Sequence, residues 1–170
     1  MISTELICSK EYILRLNPNF FEKDWLNLIE RAKAFEPIYK KKMPYILKFI
    51  PLYTGVEWDQ FLNIPIYLAD YPSPSRTNPL TIKIGSPKDM LVKLIHELTH
   101  LNFPPFDNIP IEIYEDAINQ VTKKIADRIS VKNCSALEKI VEYRIEIKKR
   151  GFLSKIIDLH GTNLKKYFNV

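Results

Sequence analysis

The sequence predicts an α+β fold in which a small edge sheet is carried by helices, with an additional N-terminal helical section. Three observations lead there. Leu80–Ile84 alternates apolar with polar residues and stops at Gly85, the period-2 signature of a half-buried strand. Longer stretches repeat apolar residues at helical spacing and open on capping residues. The 170 residues are 46% hydrophobic and 26% charged, enough for a packed core and outside the low-hydrophobicity disordered class.

From Asn19 to Ile50 the apolar residues Trp25, Leu28, Ile29, Ala32, Tyr45 and Ile46 follow helical spacing, and Pro37 and Pro44 predict breaks into two or three helices. Gly55 punctuates the chain and divides a helical section, 1–55, from a second section, 56–170, the two forming one compact unit. Ile64–Ala69 reads as a short strand that Pro65 confines to an edge or to its own first turn, followed by an irregular loop. Ser86, Pro87 and Asp89 supply an N-cap, a first-position proline and an acid for a helix running to about Phe103. After Pro104, Pro105 and Pro110, the stripe Ile111, Tyr114, Ile118, Val121 and Ile125 marks another helix. Ser135 to Glu138 is a capping-box pattern opening a helix that Gly151 closes, and the rest predicts one or two further helical turns.

The net charge of +5 is mildly basic, and runs such as Lys40-Lys41-Lys42 fit a solvated face better than phosphate contacts. Cys8 and Cys134 are far apart in no metal-binding pattern, which makes them small buried hydrophobes. The first residues lack the pattern of a signal peptide and no apolar run is long enough to span a bilayer, so a cytoplasmic chain without membrane partners is expected.

Chemistry concentrates in His96-Glu97-Leu98-Thr99-His100, an HExxH pattern inside the helix that follows the alternating strand. With Leu91 as zero, Leu91, Leu94, Leu98 and Leu101 span about 280° to 360°, while His96, His100 and Glu97 fall near about 140°, 180° and 240°. Both imidazoles can therefore reach one cation from the face away from the core, with Glu97 beside them to hold a water. A catalytic zinc site needs a third protein ligand. The metzincin continuation HExxHxxGxxH is excluded, because its Gly and His positions are Phe103 and Phe106. The next helix offers Glu112, Glu115 and Asp116. Its phase puts Glu115 closest to the buried side and assigns Glu112 and Asp116 to a solvated face.

These residues resemble the gluzincin family of zinc metallopeptidases, over about residues 64–129. The HExxH segment is similar to the family's first motif, and Glu115-Asp116-Ala117-Ile118-Asn119 to its second, a glutamate followed four residues later by Asp or Asn. The short connection between them points to the small minigluzincins and implies a zincin-like catalytic domain over 56–170. The resemblance implies Zn2+ held by His96, His100 and Glu115, Glu97 as general base toward a zinc-bound water, and Asn119 as support for a zinc histidine. Peptide or unfolded protein is then the expected substrate, with Leu80–Ile84 offering an edge to which an extended peptide can add. Oxyanion donors are sought among Tyr143, Arg144, Tyr114 and His160.

Two other functions are compatible with the pattern. A catalytically silent zinc-binding regulator or interaction module would use the same ligands without turnover. A metal endoribonuclease of the HxxxH type would need a further histidine within Phe103–Asn108, where none occurs, so nucleic acid is not an expected partner. At the C-terminal end, Leu164, Tyr167 and Phe168 form an apolar face that either docks on the N-terminal helices or lies across the cleft as a lid.

Overall fold

A computed structural model describes residues 2–59, 62–70, 75–107, 109–149 and 163–168. The elements are β1 (Ser3–Ile7), α1 (Lys10–Leu16), α2 (Glu22–Thr54), β2 (Asn63–Ala69), β3 (Arg76–Thr77), β4 (Leu80–Lys83), α3 (Pro87–Asn102), α4 (Ile111–Arg128), α5 (Ser135–Lys149) and α6 (Leu164–Phe168). The fold is α+β, as expected. One sheet of order β1-β2-β4-β3 lies against helices gathered around α3, with β1, β2 and β4 parallel and the short β3 antiparallel at the edge.

The N-terminal end departs from the helical section foreseen for it. Residues 3–7 form an outer strand paired in register with residues 63–67, so the sheet joins the two sections on either side of Gly55. α1 follows at once, its first turn capped by the Ser9 hydroxyl, which accepts from Tyr12 N–H. β2 is interior, and Pro65 is tolerated there for a geometric reason. In a parallel strand alternate residues face opposite neighbours; Ala69 faces β4, so Pro65, of the same parity, also faces that side. The β2–β4 register begins only at Tyr67, so the N–H that proline lacks has no partner to lose.

The helices expected between Asn19 and Ile50 are one helix of 33 residues that runs through Pro37, Pro44 and Pro51. Seven-residue spacing puts all three prolines on one side, within about 20° per step. Pro37 and Pro44 are exposed, and the opposite stripe, including Leu28, Phe35, Met43, Ile46 and Ile50, is buried. Water can therefore satisfy the carbonyls freed at Lys33 and Lys40, while the one freed by Pro51, on Leu47, accepts the Trp58 indole N–H at 2.9 Å. Gly55 ends the helix at φ +79°, a conformation that glycine takes without strain.

α3 is the central element, in contact with α2, α4, α5, β3 and β4. Its N-cap is Ser86, whose hydroxyl accepts from Asp89 N–H. Asp89 also caps α5 from outside: its carboxylate accepts from Ala136 N–H at 2.8 Å and from the Ser135 hydroxyl at 3.2 Å. An acid from a neighbouring helix thus caps the start of α5, where a local capping box was expected at Ser135, and ties α5 to α3. At the other end Asn102 donates to Val56 O and accepts from Thr54 Oγ1, tying α3 to the end of α2.

Of the C-terminal apolar face, Leu164 is fully buried, Phe168 stacks near Phe103 with ring centres 6.2 Å apart, and α6 contacts α2. The docked arrangement holds for 163–168, and no residue of α6 lines the clefts described below. Leu164→Ala should therefore cost about 2–5 kcal/mol of unfolding free energy. Urea denaturation checks this, and a loss under about 0.5 kcal/mol, the range of surface substitutions, would contradict the docking. Cys134 is buried and Cys8 half-buried, both as free thiols, and no helix of the described residues is long and apolar enough to cross a membrane.

Candidate metal centre

His96 and His100 lie one turn apart on α3, and α4 crosses in front of them carrying Glu115. One ligand atom from each of the three residues fits within a 4.8 Å cluster. The two Nε2 atoms are 2.9 Å apart, and Glu115 carboxylate oxygens lie 3.7 Å from His96 Nε2 and 3.4 Å from His100 Nε2. A tetrahedral ion with bonds of about 2.0–2.1 Å spaces its ligand atoms by about 3.3–3.4 Å, and the observed separations bracket that value.

The donor chemistry fits a cation as well as the spacing does. Tyr114 gives its single hydrogen to Phe103 O at 2.6 Å, so its oxygen must accept from His100 Nδ1 at 2.8 Å. That bond sets the tautomer: Nδ1 carries the hydrogen and Nε2 presents its lone pair to the cluster. The buried Asn119, one turn beyond Glu115 on α4, shares a cleft wall with His96, and its side chain favours the protonated form of that imidazole. Burial, and then the neighbouring His100, push the His96 imidazole down to about 4, so it is neutral at neutral pH. Burial opposes ionisation of Glu115, but protonated imidazoles outweigh it, His100 by hydrogen bond and charge and His96 by charge, and hold the carboxyl below its ordinary value; with both rings neutral that partner is missing and a bound cation would take its place. Two imidazole nitrogens converging beside a carboxylate form a donor set that can hold a metal ion.

Glu97 is buried on the flank of the cluster. Its Oε2 accepts from Thr77 Oγ1, at 2.8 Å, which belongs to the edge strand β3. Burial raises its pKa, a shift that the Thr77 hydrogen bond moderates. Two cleft lobes meet at His96 and Glu97. One, of about 590 Å³, is walled by Thr77, Leu101, Pro104, Pro105, Ile111 and Tyr114. The other, of about 550 Å³, is walled by Lys83, Lys93, Lys139, Ile140, Asn119 and Ala136. Ser75 borders both.

The structure departs from the sequence expectations at several residues. The histidine face of α3 is not turned away from the protein; α4 and β3 cover it, because α3 is packed on several sides. Leu101, placed in the buried stripe, is 38% exposed and lines the cleft, as does Ile111 of the α4 stripe at 56%. Asp116, assigned to a solvated face, is fully buried under α5. Its Oδ2 accepts from Gln120, and its Oδ1 lies 3.9 Å from Arg144 Nε. Glu112 is half-buried and outside the cluster. The outer edge of β4 is occupied, since Arg76–Thr77 pair with Leu80–Thr81 and the Ser75 hydroxyl accepts from Lys83 N–H. Among the described residues the outermost strand on this side of the sheet is therefore β3.

Of the residues considered as oxyanion donors, Tyr114 has its hydroxyl hydrogen engaged by Phe103 O and serves to orient His100. Arg144 faces Asp116, Tyr143 lines neither lobe, and His160 lies outside the described residues. Thr77 carries no signature in the sequence beyond the need of a buried acid for a donor. Tyr114 was visible as a tyrosine in a buried stripe, whose hydroxyl needs a partner.

Tyr114→Phe should weaken metal binding at this cluster by about 10–100-fold, because it leaves His100 Nδ1–H and Phe103 O without their shared partner. Titration against a competing chelator measures this; unchanged affinity would deny Tyr114 its orienting role. Comparison of the chain with protein-family models, curated proteins and solved structures returns no match.

Proposed function

We propose that this protein is a zinc-dependent peptidase with a zincin-like arrangement of the gluzincin kind, of minigluzincin size. One observation carries the reading: donor atoms of His96, His100 and Glu115 converge from two packed helices, with the buried Glu97 beside them where two cleft lobes meet. A zinc ion in such a site supplies Lewis acidity, polarising a peptide carbonyl and bringing the pKa of a water toward about 7.

The chain's residues do the rest. Glu97 accepts the proton of the attacking water and delivers it to the departing amine, and its raised pKa suits both transfers. Thr77 holds one carboxylate oxygen, leaving the other for the water. Tyr114 keeps His100 in the tautomer and orientation that present a nitrogen lone pair, and Asn119 stands beside His96, where its amide can serve that ring in the same way. The edge at 75–77 runs beside both lobes, where an extended substrate can form main-chain hydrogen bonds.

The test is hydrolysis of an unfolded protein by zinc-loaded chain. Cleavage should stop with a chelator and return with added zinc. Full zinc occupancy without cleavage of any unfolded protein would leave the silent regulatory module as the function of the same centre.

A further inference from the structure

The two lobes are chemically unlike. Leu101, Pro104, Pro105 and Ile111 make one lobe apolar, and the described residues that line it include no Lys or Arg. The other lobe gathers ammonium groups from three elements: Lys83 at the end of β4, Lys93 in α3 and Lys139 near the start of α5. Among the described residues none of these three forms an ion pair. The neighbouring acid, Asp89, is already bonded to the Ser86 and Ser135 hydroxyls and to Ala136 N–H.

A solvated basic face points its lysines outward from one element. Here Lys93 is half-buried and its Nζ lies 3.4 Å from Lys83 O. Burial, and the repulsion of Lys83 and Lys139 that only Asp89 offsets, disfavour its charge. An anion in this lobe would relieve that repulsion, and the lobe opens directly beside His96 and Glu97.

We infer that the lysine lobe is a subsite for a substrate carboxylate. The preferred peptide carries an acidic side chain, or its own C-terminal carboxylate, on the lysine side of the cleaved bond and an apolar side chain on the other. The inference rests on the peptidase reading of the centre. A polynucleotide suits the cleft less well, because its phosphates would need cations along both lobes.

Binding and cleavage are measured separately to test it. Zinc-loaded Glu97→Gln chain is titrated with labelled peptides that differ only in Glu, Gln or Lys after an apolar residue, each as free acid and as amide; wild-type chain is assayed for cleavage of the same set. The Glu peptide should bind about 10-fold more tightly than the Gln peptide, the Lys peptide most weakly, and the ratio should shrink in high salt. Lys139→Ala, an exposed position, should reduce the ratio, and adding Lys93→Gln should bring it to about 2-fold or less. Dependence on the side chain identifies an acidic residue as the ligand, and dependence on the free acid alone identifies the chain terminus. Equal binding of the three peptides, a ratio indifferent to the lysines, or tighter binding of single-stranded RNA would overturn the inference. Cleavage without charge preference would remove the subsite and keep the peptidase. Charge-selective, lysine-dependent binding without wild-type cleavage would keep the subsite and remove the peptidase.

Discussion

Glu97→Gln should leave zinc binding intact and lower peptide hydrolysis by about 10²–10⁴-fold, the usual contribution of a positioned general base. Glutamine keeps the length of the side chain and can still accept from Thr77, so the buried flank of α3 stays packed. It cannot take a proton at neutral pH. The expected result is thus a folded, metal-loaded chain without turnover. Zinc content by atomic absorption and hydrolysis of an unfolded protein, measured on one preparation, check it. Retained activity would remove Glu97 from the chemistry, and lost zinc would mean that the side chain serves the metal.

His96→Ala and His100→Ala should each cost about 3 kcal/mol or more of zinc binding, a hundredfold or more in affinity, because each removes one of three protein ligands. Glu115→Ala should act similarly. Glu112→Ala should leave the affinity unchanged, since Glu112 stands outside the cluster. Asp116→Ala is the informative control, because Asp116 is buried beside Gln120 and Arg144, away from the histidines. It should cost stability, as removal of a buried hydrogen-bonded charge does, by about 1–3 kcal/mol, with the metal retained. Competitive zinc titration and thermal unfolding separate the two effects. A larger affinity loss for Asp116 than for Glu115 would mean that α4 presents the wrong face here.

How much of this could be read from the chain depends on the range of the interaction. His96 and His100 are neighbours by helical geometry alone, and the Ser86-Pro87 start of their helix is equally local, so both were legible. Glu115 was legible in part, since phase chose it among three acids. The same phase argument misplaced Asp116, because it assumed one buried side and α4 has α5 packed on another. β1 escaped notice because a strand of five residues acquires its meaning from residues 63–67, far along the sequence. The continuity of α2 escaped for a related reason. Proline breaks helices when the freed carbonyl is stranded, and only the fold reveals that Trp58 meets the carbonyl of Leu47. The bond from Thr77 to Glu97 joins β3 to α3 and has no local signature at all. The lysine lobe is similar: Lys83, Lys93 and Lys139 look like scattered surface charge until three elements converge.

Anomalous diffraction, recorded on either side of the zinc absorption edge from crystals of zinc-loaded chain, tests the proposed metal centre most directly. One strong peak per chain is expected, bonded to Nε2 of His96, Nε2 of His100 and a carboxylate oxygen of Glu115, with Glu97 adjacent and unbonded. A zinc-loaded crystal with no peak among these three residues, or with its peak elsewhere on the chain, would contradict it.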